Sequence, residues 1–202
     1  MKILLLGANG RTGREIIKRA LDAGDFITAL VRSEDKLIDI THPHLSVYTG
    51  NVCNSSTLKE ILPGHDVVIS TLGPKLPTKT ACAIYSDSAK AIVDAMQESD
   101  VNRLLVTSTA LLYPSRTLLE RIIHLIARHS AKNAGLMEAS IRSSSLDWTI
   151  ARMGFLNDKL SNNYIMAESS GGAISRSAVA SFLLTEARES THVHKVVGLS
   201  EK

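Results

Sequence analysis

The chain alternates short, mostly apolar runs with longer segments whose apolar positions recur at helical spacing. Ile3 to Leu6, Asp25 to Arg32, Leu45 to Tyr48, Asp66 to Thr71 and Arg103 to Ser108 are the short runs. Continuous runs, rather than alternating ones, predict strands buried on both faces, as in a parallel sheet covered by helices. Arg14 to Leu21, Ser55 to Leu62 and Thr80 to about Gln97 read as the intervening helices. This order predicts an α/β fold with a doubly wound parallel sheet, the Rossmann architecture. Beyond Ser108 the pattern turns helical, over Thr117 to Ser130 and Lys132 to Ser144, with a break expected near His129 to Asn133. Asp147 to Arg152 is predicted as a sixth strand, Ser177 to Arg188 as a helix and Val193 to Val197 as a last short strand.

At 202 residues and 44% hydrophobic content the chain fits one domain, residues 1–202, so a substrate site must come from loops and a small C-terminal segment. The net charge of +3 is mild and the basic residues are read as scattered singly, without aromatic partners, so nucleic acid is not expected as a partner. Cys53 and Cys82 lie too far apart for a metal motif or a disulfide framework; both are expected to be packing residues in a reducing, cytoplasmic setting. The first apolar run is too short for a signal peptide, and no stretch approaches the roughly 18 apolar residues of a membrane span. The expectation is a protein without a membrane partner, monomer or homodimer.

Candidate chemistry enters at Gly7-Ala8-Asn9-Gly10-Arg11-Thr12-Gly13, between the first strand and the first helix. A glycine turn there leaves backbone N–H groups at a helix N-terminus, where a pyrophosphate can lie without meeting a side chain. The spacing is G-x-x-G-x-x-G, and its position in a βαβ unit makes it a dinucleotide signal. Gly7, Asn9, Gly10, Arg11, Thr12 and Gly13 are therefore candidate cofactor residues. The second strand ends in Arg32-Ser33, where an acid would bond the ribose of NAD; a guanidinium and a hydroxyl suit the 2′-phosphate of NADP(H) instead. Arg11 could reach that phosphate from the other side, and Glu34 or Asp35 could take the ribose. Asn51 and Val52 are candidates for the adenine, and Thr71, Leu72 and Gly73 for close backbone approach to the cofactor. Ser108 and Thr109, ending the fifth strand, can bond the nicotinamide ribose or an acceptor carbonyl, and Ser108 is the candidate catalytic residue.

These segments, with Val67 to Gly73, Leu105 to Ser108, Leu146 to Arg152 and Gly172 to Ala180, resemble the atypical short-chain dehydrogenase/reductases over nearly the whole chain. The resemblance is greatest to the NAD(P)H-binding group that includes biliverdin-IXβ/flavin reductase and the NmrA-like proteins. It implies a reductase passing a hydride to a flavin, quinone or tetrapyrrole-like planar acceptor, or else a non-catalytic NADP(H) sensor of the NmrA-like kind. Two departures stand out: Gly50-Asn51-Val52 where the family often has Gly-Asp-Val, and Arg152-Met153-Gly154 where it commonly has Arg-Pro-Gly. Tyr48, Tyr85, Tyr113 and Tyr164 each lack a lysine four residues on, and Lys132 has Arg128 four residues before it. The tyrosine-lysine proton donor of the typical dehydrogenases is thus missing, which disfavours alcohol dehydrogenation and sugar epimerisation.

His192-Val193-His194 would put two imidazoles on one face of a strand, but no third ligand accompanies them, and no metal is expected. Leu118, Leu119, Ile122, Ile123, Leu125 and Ile126 form an apolar stripe, read first as core-facing and second as a lid or dimer surface. Glu138 is read as a solvated helix residue, with a carboxylate at the acceptor site as the alternative.

Overall fold

A computed structural model describes residues 1–115, 117–167 and 172–201. The first half runs β1 (Lys2–Leu6), α1 (Arg11–Asp22), β2 (Phe26–Val31), β3 (Leu45–Thr49), α2 (Ser55–Ile61), β4 (Val67–Ser70) and α3 (Lys79–Met96). Then come β5 (Arg103–Thr109), α4 (Leu118–Ile126), α5 (Arg128–Arg142), β6 (Asp147–Met153), β7 (Leu156–Asn157), β8 (Ile165–Ala167), β9 (Ile174–Ser175), α6 (Arg176–Glu189) and β10 (Lys195–Ser200). Among the described residues, eight strands form one sheet in the order β3-β2-β1-β4-β5-β6-β10-β8, parallel except for β8. β7 and β9 pair separately.

The apolar runs work as a doubly wound sheet requires. Successive side chains of a strand point to opposite faces, and in β1 Ile3 and Leu5 join a core with Ile16, Ile17 and Ala20 of α1 and Val179 and Leu183 of α6. Leu4 and Leu6 join a second core with Leu58 of α2, Ile92 of α3 and Met137 and Ile141 of α5. In α1 the buried positions Gly13, Ile16, Ile17 and Ala20 follow the helical repeat, so one stripe faces the sheet. From β1 the chain winds outward to β3 and then returns across β1 to β4. The strand order reverses between β1 and β4, and ligands of such sheets lie outside the strand ends at that reversal.

Three expectations are corrected. The helical region breaks at Ala127, where the backbone leaves helical values (φ −94°, ψ 17°), ahead of the window near His129. The apolar stripe of α4 does not face the core: none of the described residues of α4 is buried. The last strand begins at Lys195, so His192 and His194 sit in the preceding turn, His194 at φ +58°. They turn to different partners, His192 to the Glu186 carboxylate and His194 to the Leu146 carbonyl.

Candidate functional site

The glycine turn is built by close backbone packing. Gly7 has φ +86°, a region other residues rarely adopt, and a Cβ there would stand 2.9 Å from the Thr71 backbone. Thr71 ties the strand ends together, its N–H bonding the Leu6 carbonyl at 2.9 Å and its hydroxyl pointing at the Leu6 and Gly7 carbonyls. A Cβ on Gly13 would lie 2.3 Å from the Gly7 carbonyl oxygen, so only glycine lets α1 start this close to β1. A Cβ on Gly10 would meet only that same oxygen, at 3.2 Å. No described side chain caps α1, and its first turn contains no acid, which leaves backbone donors and the positive helix end for an anion.

This turn opens into a cleft of about 540 Å³ outside the ends of β1 to β4. Gly7, Asn9, Gly10, Arg32, Asn51, Val52, Thr71, Leu72 and Gly73 line it, so the structure brings these sequence-predicted residues together. Arg32 is exposed within it. Glu34 and Asp35 lie on the short 3₁₀ turn Glu34–Lys36 and are not among the cleft walls; Glu34 accepts from Thr49 and Asp35 from Ser33. The Asn51 Oδ1 accepts the Cys53 N–H at 3.0 Å, which commits part of the side chain to its own turn.

Other predicted residues are placed elsewhere. Arg11 turns away from Arg32 and pairs with Asp158 at 2.6 Å, beside Arg176 in a separate cleft of about 250 Å³. The Ser33 hydroxyl is spent on Asp35. Thr12 and Gly13 belong to the first turn of α1 rather than to the cleft wall, and Thr109 lines a different cavity. Conversely, α3 contributes Thr80, Ala81, Ala83, Ile84 and Asp87, none of which a motif marks, and Cys53, which packs against the second core as expected, is also a wall residue. Burial pushes the Cys53 thiol above its ordinary value, with Asp87 adding to the shift and Arg32 opposing it. The Tyr85 hydroxyl comes within 3.5 Å of where a Gly73 Cβ would stand, and burial pushes it up to about 12.

Further along the same sheet edge, outside β5 and β6, a cavity of about 580 Å³ is walled by Thr109 to Leu111, Tyr113, Ile123, His124 and Phe155. Beside it lies a buried polar group. Glu138, expected in solvent, is 3% exposed. It accepts from the Ser108 hydroxyl at 2.6 Å and from Arg152 Nε and Nη2 at 2.9 and 2.6 Å. The Arg152 guanidinium stands 5.0 Å over the Tyr113 ring. Its two donors to one carboxylate form the planar fork pairing that fixes orientation best. Ser108, the candidate for the nicotinamide ribose or an acceptor carbonyl, is itself 4% exposed and lines neither cavity; its hydroxyl is engaged by Glu138 and ties β5 to α5. Burial raises the Tyr113 hydroxyl above its ordinary value, against the nearby Arg152 charge.

The family model described as NAD(P)H-binding matches residues 7–190. Among curated relatives, the photosystem II assembly factor Ycf39 of Synechocystis is 26% identical over 160 residues, 77% of this chain and 45% of that protein. The oxidoreductase stcQ of Emericella nidulans is 28% identical over 169 residues, 73% of this chain and 61% of that protein. The chain thus spans about half the length of these relatives. Among solved structures, the oxidoreductase ylbE of Lactococcus lactis superposes with a TM-score of 0.88 at 17% identity, covering 100% of this chain and 91% of its own. The anaerobillin reductase ChuY of Escherichia coli O157:H7 superposes at 0.81 and 20% identity, covering 100% and 97%. At these identities the structures speak for the fold. The match over residues 7–190, together with the glycine turn and its cleft, places the chain in the NAD(P)H-binding family.

Proposed function

We propose that the chain is an NADPH-dependent reductase that acts on a planar, electron-poor acceptor of the flavin, quinone or tetrapyrrole type. The observation that carries this reading is the pair of cavities along one sheet edge, about 540 and 580 Å³, the first ending at Arg32 and the second walled largely by apolar and aromatic side chains. The bound nicotinamide would supply the hydride. The protein's part is placement. The turn from Gly7 to Gly13 holds the pyrophosphate, Thr71 to Gly73 let the backbone approach closely, and Val52, Cys53 and Asn51 bracket the adenine. Arg32 pairs with the 2′-phosphate, while Glu34 and Asp35 lie outside the cleft wall and accept from other partners. Tyr113 and Phe155 offer faces on which a planar acceptor can stack, and the fork between Arg152 and Glu138 keeps Tyr113 in position. Such acceptors delocalise the arriving charge, so water can complete protonation without the tyrosine-lysine pair.

The test has two parts. Calorimetric titration should give NADPH a roughly ten- to hundredfold advantage over NADH, the worth of one charge-assisted contact, and Arg32→Asp should narrow or reverse it. Equal affinities in the parent remove the assignment of Arg32. Steady-state oxidation of NADPH with a panel of flavins, quinones and tetrapyrroles then tests the reaction. Tight NADPH binding with no oxidation by any acceptor replaces the enzyme by an NADP(H) sensor.

A further inference from the structure

The helix that roofs the second cavity, α4, carries most of its apolar residues on the side away from it. On its inner side Ile123 lines the cavity, with Glu120 and His124 beside it. On its outer side Leu118, Leu119, Ile122, Leu125 and Ile126 are 74%, 67%, 48%, 66% and 65% exposed. At about 100° per residue these five fill an arc of roughly 120°, the width of a stripe that normally meets a partner. The helix is already formed, closed at its start by a reciprocal Thr117 and Glu120 capping box, so docking need not order it.

Charge says what the partner is. Residues 114–132 contain Arg116, Arg121, Arg128 and Lys132 against the single acid Glu120. That surplus of three equals the formal net charge of the whole chain, +3, so the remaining residues balance to zero. Arg121 borders the outer arc of α4, and Arg128 and Lys132 follow it, one turn apart on α5, with all three exposed. Exposed aliphatic side chains bordered by Arg121 and followed by the exposed Arg128 and Lys132 fit a helix lying in the plane of an anionic membrane surface. A second copy of this chain fits less well. A two-fold contact through α4 would bring the same net-positive patch of both copies to one interface.

We propose that the outer face of α4 docks on an anionic lipid bilayer, with Leu119, Ile122 and Ile126 among the acyl chains and Arg121, Arg128 and Lys132 at the headgroup phosphates. None of the described helices is long and apolar enough to cross a membrane, so the association is peripheral. The proposal goes beyond the reductase reading and does not depend on it.

Flotation of the full chain with vesicles tests it directly. Vesicles of equal parts phosphatidylglycerol and phosphatidylcholine should capture the protein, and vesicles of phosphatidylcholine alone should not. Changing Arg121, Arg128 or Lys132 to Gln should each weaken capture about fivefold, and raising the salt should weaken it further. The pair Ile122→Ser with Leu125→Ser should abolish capture at an unchanged melting temperature, because none of the described residues of α4 is buried. Failure of the parent to float with anionic vesicles overturns the proposal, as does equal capture by both vesicle types. A dimer in sedimentation equilibrium that the Ser pair dissociates, without vesicle capture, assigns the face to a second copy instead.

Discussion

Glu138→Ala should be among the most damaging single changes outside the two hydrophobic cores. The carboxylate satisfies three donors, Ser108 Oγ at 2.6 Å and Arg152 Nε and Nη2 at 2.9 and 2.6 Å, in a pair whose side chains are 4% and 16% exposed. Removing one partner of a buried ion pair costs about 3–5 kcal/mol, chiefly because the other charge is left without compensation. Arg152 keeps the Tyr113 face and some contact with water, which places the expected loss near the lower end, about 3 kcal/mol. For a chain of this size that corresponds to a fall of roughly 6–12 °C in melting temperature. Glu138→Gln retains an acceptor and should lose less, about 1–2 kcal/mol. The combination of Glu138→Leu with Arg152→Met should recover most of the stability, since an apolar pair needs no compensation. Urea and thermal unfolding followed by circular dichroism measure all three. A Glu138→Ala variant within about 1 kcal/mol of the parent would show that the pair contributes little. A double variant worse than the sum of its parts would show that its value lies in packing.

The glycine turn separates fold from function: Gly10→Val should stay folded but lose NADPH binding in calorimetry, whereas Gly13→Ala should lower the melting temperature as well, its Cβ falling 2.3 Å from the Gly7 oxygen. Glu186 governs part of the acid response. Burial pushes its carboxyl up, but hydrogen bonds from His192 and Thr191 and the Arg103 charge outweigh this and leave it below its ordinary 4.5. A depressed folded value means the stabilisation is complete above the unfolded pKa and is lost as pH falls through the folded one. Glu186→Gln should therefore flatten the acid limb of the urea midpoint plotted against pH below about 4.5, and an unchanged limb would assign acid sensitivity elsewhere. Tyr85, pushed up to about 12, offers no tyrosinate base near neutrality. Tyr85→Phe and Tyr113→Phe should leave NADPH turnover within about tenfold of the parent, and a larger loss at intact cofactor affinity would reveal a proton donor.

The sheet was legible because burial on both faces leaves an unambiguous mark. Runs such as Ile3 to Leu6 and Val67 to Ile69 can hardly be anything but interior strands once glycine turns and helical periods separate them. β7, β8 and β9 escaped because two- or three-residue strands carry no periodicity, and they exist only through pairing with distant segments. The cleft beside the glycine turn was legible where backbone dictates the residue: Gly7 and Gly13 are required by contacts of less than 3 Å. It was illegible where a helix side chain faces the cavity without a motif around it, as with Ile84 and Asp87 of α3.

Glu138 and the stripe of α4 show one limit from opposite directions. A charged residue on a helix is read as solvated because an unpaired buried carboxylate would be too costly, yet Arg152 lies fourteen positions away and removes that cost. No local pattern announces such a partner. An apolar stripe is read as core-facing for the converse reason, that exposed aliphatic surface is unfavourable in water. Periodicity reports that one face of a helix excludes polar groups, not which neighbour covers it. In α4 the inner side has a cavity and the outer side has solvent, so the same physical preference that buries α1 against the sheet leaves the outer stripe of α4 seeking a surface outside the chain. The arginines and lysine around it select the charge of that surface, and they do so through a local concentration that a whole-chain total of +3 conceals.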